Sequence, residues 1–306
     1  MKIVILDAIT FGDTDLSGFN ALGEVIVHQK TSAQEVDERI TDADVLVTNK
    51  VVITAQNMEN AKALKLICVA ATGTNNVDLQ AAKERSIAVK NVVGYSTESV
   101  VQHTFAMLFY LIEHMKYYDG AVKDGFWSRS GVFTDISNPF FEINGKKWGI
   151  IGLGTIGKRV GGIAKNFGCE VSYFSTSGKN SDAEFASVTL EQLLKESDII
   201  SIHAPLNDAT KNLLDYEQLL TCKQNAVILN LGRGGIINEE AVAKIIDEKD
   251  IFFGLDVLTK EPIDLHDPLL GVKNRNRLLI TPHIAWTSKE AREALIVGVI
   301  ENIRSI

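Results

Sequence analysis

The stretch Gly152-Leu153-Gly154-Thr155-Ile156-Gly157 follows a short apolar run, "WGIIGL", and opens a helical pattern. Glycines at that spacing, between a strand and a helix, suit a dinucleotide. Gly152 permits the tight turn, Gly154 lets the backbone approach a pyrophosphate, and Gly157 lets helix and strand pack closely. The helix start at Thr155 and Ile156 offers free N–H groups and positive potential to phosphate. Three further residues follow predicted strands: Arg233 in "NLGRGG", Glu261 in "GLDVLTKEP" and His283 in "TPHIAW". A planar guanidinium suits a carboxylate. An acid beside a histidine orients the ring and favours its protonated form, and such a ring donates a proton well near neutral pH. Each residue alone has an ordinary structural explanation; the ordered set behind a glycine turn supports a site.

The second question is which dinucleotide. In NAD sites an acidic residue about 20 positions past the glycines accepts from the ribose 2′-hydroxyl. Here that place falls at Ser175, with Thr176, Ser177 and Lys179 after it. A carboxylate would repel a 2′-phosphate, whereas small hydroxyls and a mobile lysine charge accommodate one. The missing acid favours NADP. NAD stays open, with Ser175 bonded to the ribose and Lys179 solvated.

The elements that must position these residues come in two series. "KIVIL", "EVIVH", "DVLVTN", "KLICVA" and "IAVKNV" read as strands, with amphipathic segments such as "TSAQEVDERI" and "DLQAAKER" between them. This alternation argues for parallel sheet with helices on its faces. One long helix is expected from about Thr97 to Lys123, broken at Gly125 and around Pro139. A second series begins at Lys147 with six strand-like runs, the complement of a full dinucleotide fold. A helix from Ser288 closes the chain. The first series has no paired glycines at the right spacing, so it is expected to supply the other wall of a cleft.

The bulk properties fit this reading. The chain has 306 residues, enough for two domains. Hydrophobic residues make up 45% and charged residues 23%, ordinary for a globular protein. The net charge of −8, with no basic block, gives no sign of a nucleic-acid partner. Cys68, Cys169 and Cys222 have no metal-like spacing and fit a reducing compartment. The N-terminal apolar run is too short for a signal sequence, and "FAMLFYLI" is too short for a membrane span. A cytoplasmic protein with no membrane partner and no metal is expected.

With these motifs assembled, the chain resembles the D-2-hydroxyacid dehydrogenase family, and within it the glycerate dehydrogenase/hydroxypyruvate reductase branch. The resemblance runs over nearly the whole chain: "TNKVVIT", "LKLICVAATGTNNVD" and "YSTESVVQHTFAML", then the glycine turn, "HAPL", "LGRGG", "DV…EP" and "TPHIAW" in order. It implies two doubly wound parallel-sheet α/β domains with a cleft between them. One is a flavodoxin-like substrate domain, 1–98 plus 287–306; the other is a Rossmann cofactor domain, 99–286. It implies hydride transfer between NAD(P)H and C2 of a small 2-oxo acid, with His283 as proton donor, Glu261 holding it, and Arg233 binding the carboxylate. Ala71, Thr72, Gly73 and Thr74 would hold the carboxylate by their backbone. His203, Ala204 and Pro205 would line the adenosine side, Asp256 would stand on the nicotinamide side or behind it, and Asn230 and Leu231 would lie close by.

Glu261 separates the chain from formate-oxidising relatives, which carry Gln there. Trp286 resembles the hydroxypyruvate/glyoxylate branch and could equally be a core or interface aromatic; Lys50 and Tyr95 could face the cleft. Ser175, where most NAD-using relatives have Asp, is the departure. Relatives form homodimers, so a homodimer is expected. The competing readings are another specificity in the same family (D-lactate, phosphoglycerate or a branched 2-oxo acid) and, more remotely, a dinucleotide-sensing interaction protein.

Overall fold

Valine- and isoleucine-rich runs of four residues bury both faces of a strand, and the helical segments between them bury one. That pattern produces two parallel sheets. The computed structural model describes residues 1–306. The chain divides into two units, Met1–Ser96 with Trp286–Ile306, and Thr97–Ala285.

The first unit contains β1 (Lys2–Ile5), β2 (Glu24–Val27), α1 (Val36–Ile40), β3 (Val45–Thr48), α2 (Ala55–Asn60), β4 (Leu66–Val69), α3 (Leu79–Glu84) and β5 (Ala88–Asn91). All strands are parallel, in the order β2-β1-β3-β4-β5. This is the flavodoxin-like order. Every residue of β3 and β4 is buried, as expected for central parallel strands. One face packs Leu46, Ile67 and Val69 against Val36, Met58 and Ala81. The other packs Ile3, Val45 and Cys68 against Leu295, Ile296 and Val299 of the chain's last helix, Lys289–Arg304, whose N-cap Ser288 accepts from the Ala291 N–H.

The second unit opens with α4 (Thr97–Ile112), α5 (Met115–Lys123) and α6 (Phe126–Ser130). The sheet then runs β6 (Lys147–Ile151), α7 (Thr155–Asn166), β7 (Glu170–Phe174), β8 (Ala186–Ser187), α8 (Leu190–Glu196), β9 (Ile199–Ile202), α9 (Tyr216–Thr221), β10 (Val227–Asn230), α10 (Glu239–Glu248), β11 (Phe252–Leu255) and β12 (Leu278–Ile280). The final helix of the first unit is thus α11. The seven strands are parallel, ordered β12-β11-β10-β9-β6-β7-β8. The order reverses between β6 and β9, the point where α/β sheets bind ligands beyond their carboxyl ends.

Two details differ from expectation. The single helix from Thr97 to Lys123 is two helices, interrupted where His114 adopts a left-handed φ of 51°. Up to Ile112 the apolar face has a sheet to cover, and Val101, Phe105, Leu108 and Ile112 are buried. α5 buries nothing, so no packing carries the helix straight on. The second unit also has seven strands rather than six, the addition being the two-residue β8, too short to announce itself in sequence.

Candidate active site

The glycine turn has the properties a dinucleotide needs. Gly152 has φ 92°, and a Cβ there would lie 2.7 Å from the Ala204 backbone nitrogen, so only glycine fits between the exits of β6 and β9. At Gly157 a Cβ would stand 2.4 Å from the Gly152 carbonyl, which closes helix onto strand. Gly154, by contrast, faces open space and is the N-cap of α7, where no side chain caps the helix. The first-turn amides of Thr155 and Ile156 therefore remain available to an anion. Ser175 follows β7, and its Oγ is buried without a hydrogen-bond partner. Neither ring nitrogen of His203 has a partner, and burial pushes this histidine down to about 3. Buried orphan groups are rare and call for a ligand or a water. These residues fit a dinucleotide.

The rest of the predicted cofactor loop is more open. Ser177 and Lys179 are exposed and Thr176 half-buried; the Lys179 N–H donates to Ser177 Oγ at 3.3 Å. On α7, Lys158 pairs with Asp182 at 3.2 Å and Arg159 with Glu98 at 3.0 Å. Ala204 is buried, and the Pro205 carbonyl accepts from Thr210 Oγ1 at 2.7 Å, which ties down the segment after β9.

Arg233, Glu261 and His283 all leave the carboxyl ends of neighbouring strands, β10, β11 and β12. Buried Asn230 organises the arginine turn: its Nδ2 donates to the Arg233 carbonyl at 2.8 Å, and its Oδ1 accepts from Gly232 N–H at 3.1 Å. Leu231 is buried beside it. Gly234 lets this turn touch the next one: a Cβ there would fall 2.0 Å from the Leu258 carbonyl. The Leu258 N–H donates to Glu261 Oε1 at 2.9 Å, and Thr259 donates to half-buried Glu239 from both N–H, at 2.6 Å, and hydroxyl, at 2.8 Å. Burial raises the Glu239 pKa and the Thr259 donors offset part of that rise. The other oxygen of Glu261, Oε2, stands 2.7 Å from His283 Nδ1. One carboxylate thus braces its own loop and fixes the imidazole.

His283 itself has φ 54°, an unusual conformation for a residue with a side chain. Asp256 maintains it. This carboxylate is 1% exposed and accepts from the Ile284 and Ala285 N–H groups at 2.9 Å each and from Thr281 Oγ1 at 2.6 Å. Burial raises its pKa, but the His103 side chain, followed by these donors, outweighs burial and the net shift is downward. Asp256 is occupied with the turn that presents His283 and with the His103 ring of α4, 3.5 Å away.

In the first unit, the Ala71–Thr74 loop follows β4. Asn91 Nδ2 donates to the Thr72 carbonyl at 2.5 Å, Thr72 Oγ1 donates to the Val92 carbonyl at 3.2 Å, and the Ala71 carbonyl accepts from Val92 N–H. The Gly73 and Thr74 amides have no acceptor within the chain. Buried Asp7 accepts from the Asn49, Lys50 and Val51 N–H groups and shapes the turn carrying Lys50. Trp286 packs edge-on against Tyr95, ring centroids 6.3 Å apart. What sequence reasoning missed is His103 of α4, whose Nε2 lies 3.1 Å from Thr281 Oγ1; nothing in a helical "VVQHTF" marks its ring for that contact.

A Rossmann unit that gathers an arginine and a carboxylate-held histidine at one sheet edge defines a nicotinamide-dependent dehydrogenase acting on a CH–OH group. Comparison with known proteins narrows the class. Residues 105–285 match the D-isomer specific 2-hydroxyacid dehydrogenase, NAD binding domain. A hydroxypyruvate reductase of Blautia hydrogenotrophica is 37% identical over 313 residues, covering 99% of this chain and 96% of the relative. A glycerate dehydrogenase of Methylorubrum extorquens is 34% identical over 306 residues, covering 99% and 95%. A solved acyclic imino acid reductase in complex with NADPH and D-Arg superposes with a TM-score of 0.87 at 30% identity, over 100% of this chain and 96% of that one. The chain belongs to the D-isomer specific 2-hydroxyacid dehydrogenase family.

Proposed function

We propose that this enzyme reduces hydroxypyruvate or glyoxylate to the D-2-hydroxy acid, with a preference for NADPH, in the cytoplasm and as a homodimer. The observation that carries the chemistry is the 2.7 Å contact between His283 Nδ1 and Glu261 Oε2, beside the arginine turn. When bound, the reduced nicotinamide supplies the hydride that C2 receives. Glu261 accepts the Nδ1–H of His283, so Nε2 is the nitrogen left to exchange a proton with substrate. In reduction the Nε2 proton passes to the carbonyl oxygen and His283 becomes neutral until solvent restores it. Arg233 pairs with the substrate carboxylate and polarises the carbonyl.

The names of the two relatives support the substrate class. The NADPH preference rests on Ser175 and Lys179 in place of an acid. The homodimer rests on the apolar surface of 115–140, where Phe133 is 89% and Ile136 80% exposed. The compartment rests on three free, buried cysteines. The test is the initial rate with hydroxypyruvate at neutral pH, once with NADPH and once with NADH. Faster turnover with NADPH, abolished as a preference by Lys179→Ala, is the expected result. Faster turnover with NADH refutes the cofactor preference, and no oxidation of either refutes the substrate.

A further inference from the structure

His103 lies on α4, on no strand exit and in none of the motifs that carry the chemistry. Its Nε2 is 3.1 Å from Thr281 Oγ1 and 3.5 Å from Asp256 Oδ1. The direction of these contacts follows from counting protons. An ionised carboxylate only accepts, and a hydroxyl has one proton to give. Thr281 commits that proton to Asp256 Oδ1 at 2.6 Å. Toward His103 the threonine oxygen can therefore only accept, so the His103 ring carries a proton on Nε2. The chain of donation runs from His103 Nε2–H to Thr281 Oγ1, and from Thr281 to Asp256.

Asp256 is the centre of the turn that presents His283. Its carboxylate takes the two N–H groups that follow His283, and its backbone carbonyl accepts the His283 N–H at 2.9 Å. Thr281, two residues before His283, is held by its own N–H to the Leu255 carbonyl at 3.0 Å. A side-chain-bearing residue in the left-handed region costs about 1–3 kcal/mol and persists only where its surroundings over-determine it. Here both flanks of His283 are tied to one carboxylate, and the side chain that completes that carboxylate's polar surroundings comes from a different element of the unit.

We propose that His103 is a positioning residue for His283: its Nε2–H, through Thr281 and Asp256, sets the turn that keeps the His283 ring on Glu261. The inference rests on His283 being the proton donor. His103 acts as a hydrogen-bond donor here, a role distinct from filling space on α4.

The test separates donor from filler. His103→Leu keeps bulk and removes the donor; His103→Gln retains an N–H close to where Nε2 stands. Wild type and His283→Ala are assayed first with hydroxypyruvate and the better dinucleotide. If His283→Ala keeps turnover, the reading of His283 fails, and this inference with it. Given that His283→Ala abolishes turnover, His103→Leu is expected to lower kcat about tenfold or more, with KM for the dinucleotide within about twofold, because a misplaced catalytic group costs rate before affinity. His103→Gln is expected to recover kcat to within about threefold. Thr281→Val breaks the same chain from its middle, and combining it with His103→Leu should add little further loss. A His103→Leu enzyme with wild-type kcat overturns the proposal, as does a His103→Gln enzyme as slow as His103→Leu. Should His103→Leu not fold, Thr281→Val decides: a loss of about tenfold in kcat supports the proposal, and wild-type kcat overturns it.

Discussion

His203 presents two ring nitrogens that neither the surface nor the protein satisfies. Burial moves it from an ordinary 6.5 to about 3, so the folded chain keeps it neutral while the unfolded chain protonates it below pH 6.5. The unfolded state then binds more protons, and stability rises with pH across that interval. Between pH 6.5 and 5 the loss on acidification from this one group is about 2 kcal/mol, at about 1.4 kcal/mol per pH unit. Urea unfolding at pH 7, 6 and 5 checks it: His203→Phe should lose less stability than wild type over this range by about that amount. Equal slopes for the two proteins would remove the assignment. A bound dinucleotide that satisfies either nitrogen would add its own stabilisation at neutral pH.

At the scale of elements, the site is two turns pressed together and a third wrapped around a carboxylate. Gly234 is the contact that matters between the first two. Replacing it with Ala forces a methyl into the Leu258 carbonyl and must move either the Arg233 turn or the Glu261 loop. Gly234→Ala is expected to cut kcat by about 100-fold, the scale of a 1 Å misplacement, while dinucleotide affinity, measured by nicotinamide fluorescence, stays within about threefold. Unchanged kcat would show that the turns yield elsewhere. Strands and the glycine turn were legible in sequence because parallel strands need apolar runs and a tight strand-to-helix turn needs glycine at fixed offsets. Arg233, Glu261 and His283 drew notice for a related reason: they are polar residues three to six positions past such runs, where no core role explains them. The contact of His103 with Thr281 was not legible, because the two residues are 178 positions apart and the ring's neighbours are decided by how α4 packs on the sheet. The break at His114 was hidden in the same way. The helical period continues through it, and only the loss of a surface to cover ends α4.

On the scale of the whole molecule, the segment from Met115 to Phe140 concentrates apolar surface, with Phe126, Trp127, Val132, Phe133, Ile136 and Phe140 all exposed. Patches of that kind mark association surfaces. Sedimentation of the wild-type chain should give a particle of two 33.5 kDa chains, and the double change Phe133→Asp, Ile136→Lys should give one. A monomeric wild type at micromolar concentration would end the homodimer proposal.

The cysteines make a different measurement possible. Burial pushes Cys68 up to about 12, Cys169 to about 11 and Cys222 to about 12, so none offers a thiolate to reagent in the native state. Modification must wait for the chain to open. Cys68 lies in β4 of the first unit, whereas Cys169 and Cys222 lie in the second, which carries the glycine turn. Alkylation followed by peptide mass spectrometry therefore clocks each unit with its own built-in probe. A dinucleotide at about 100 times its Kd should slow labelling of Cys169 and Cys222 by about 100-fold and leave Cys68 unchanged. Equal slowing at all three would mean that the two sheets come apart in a single event.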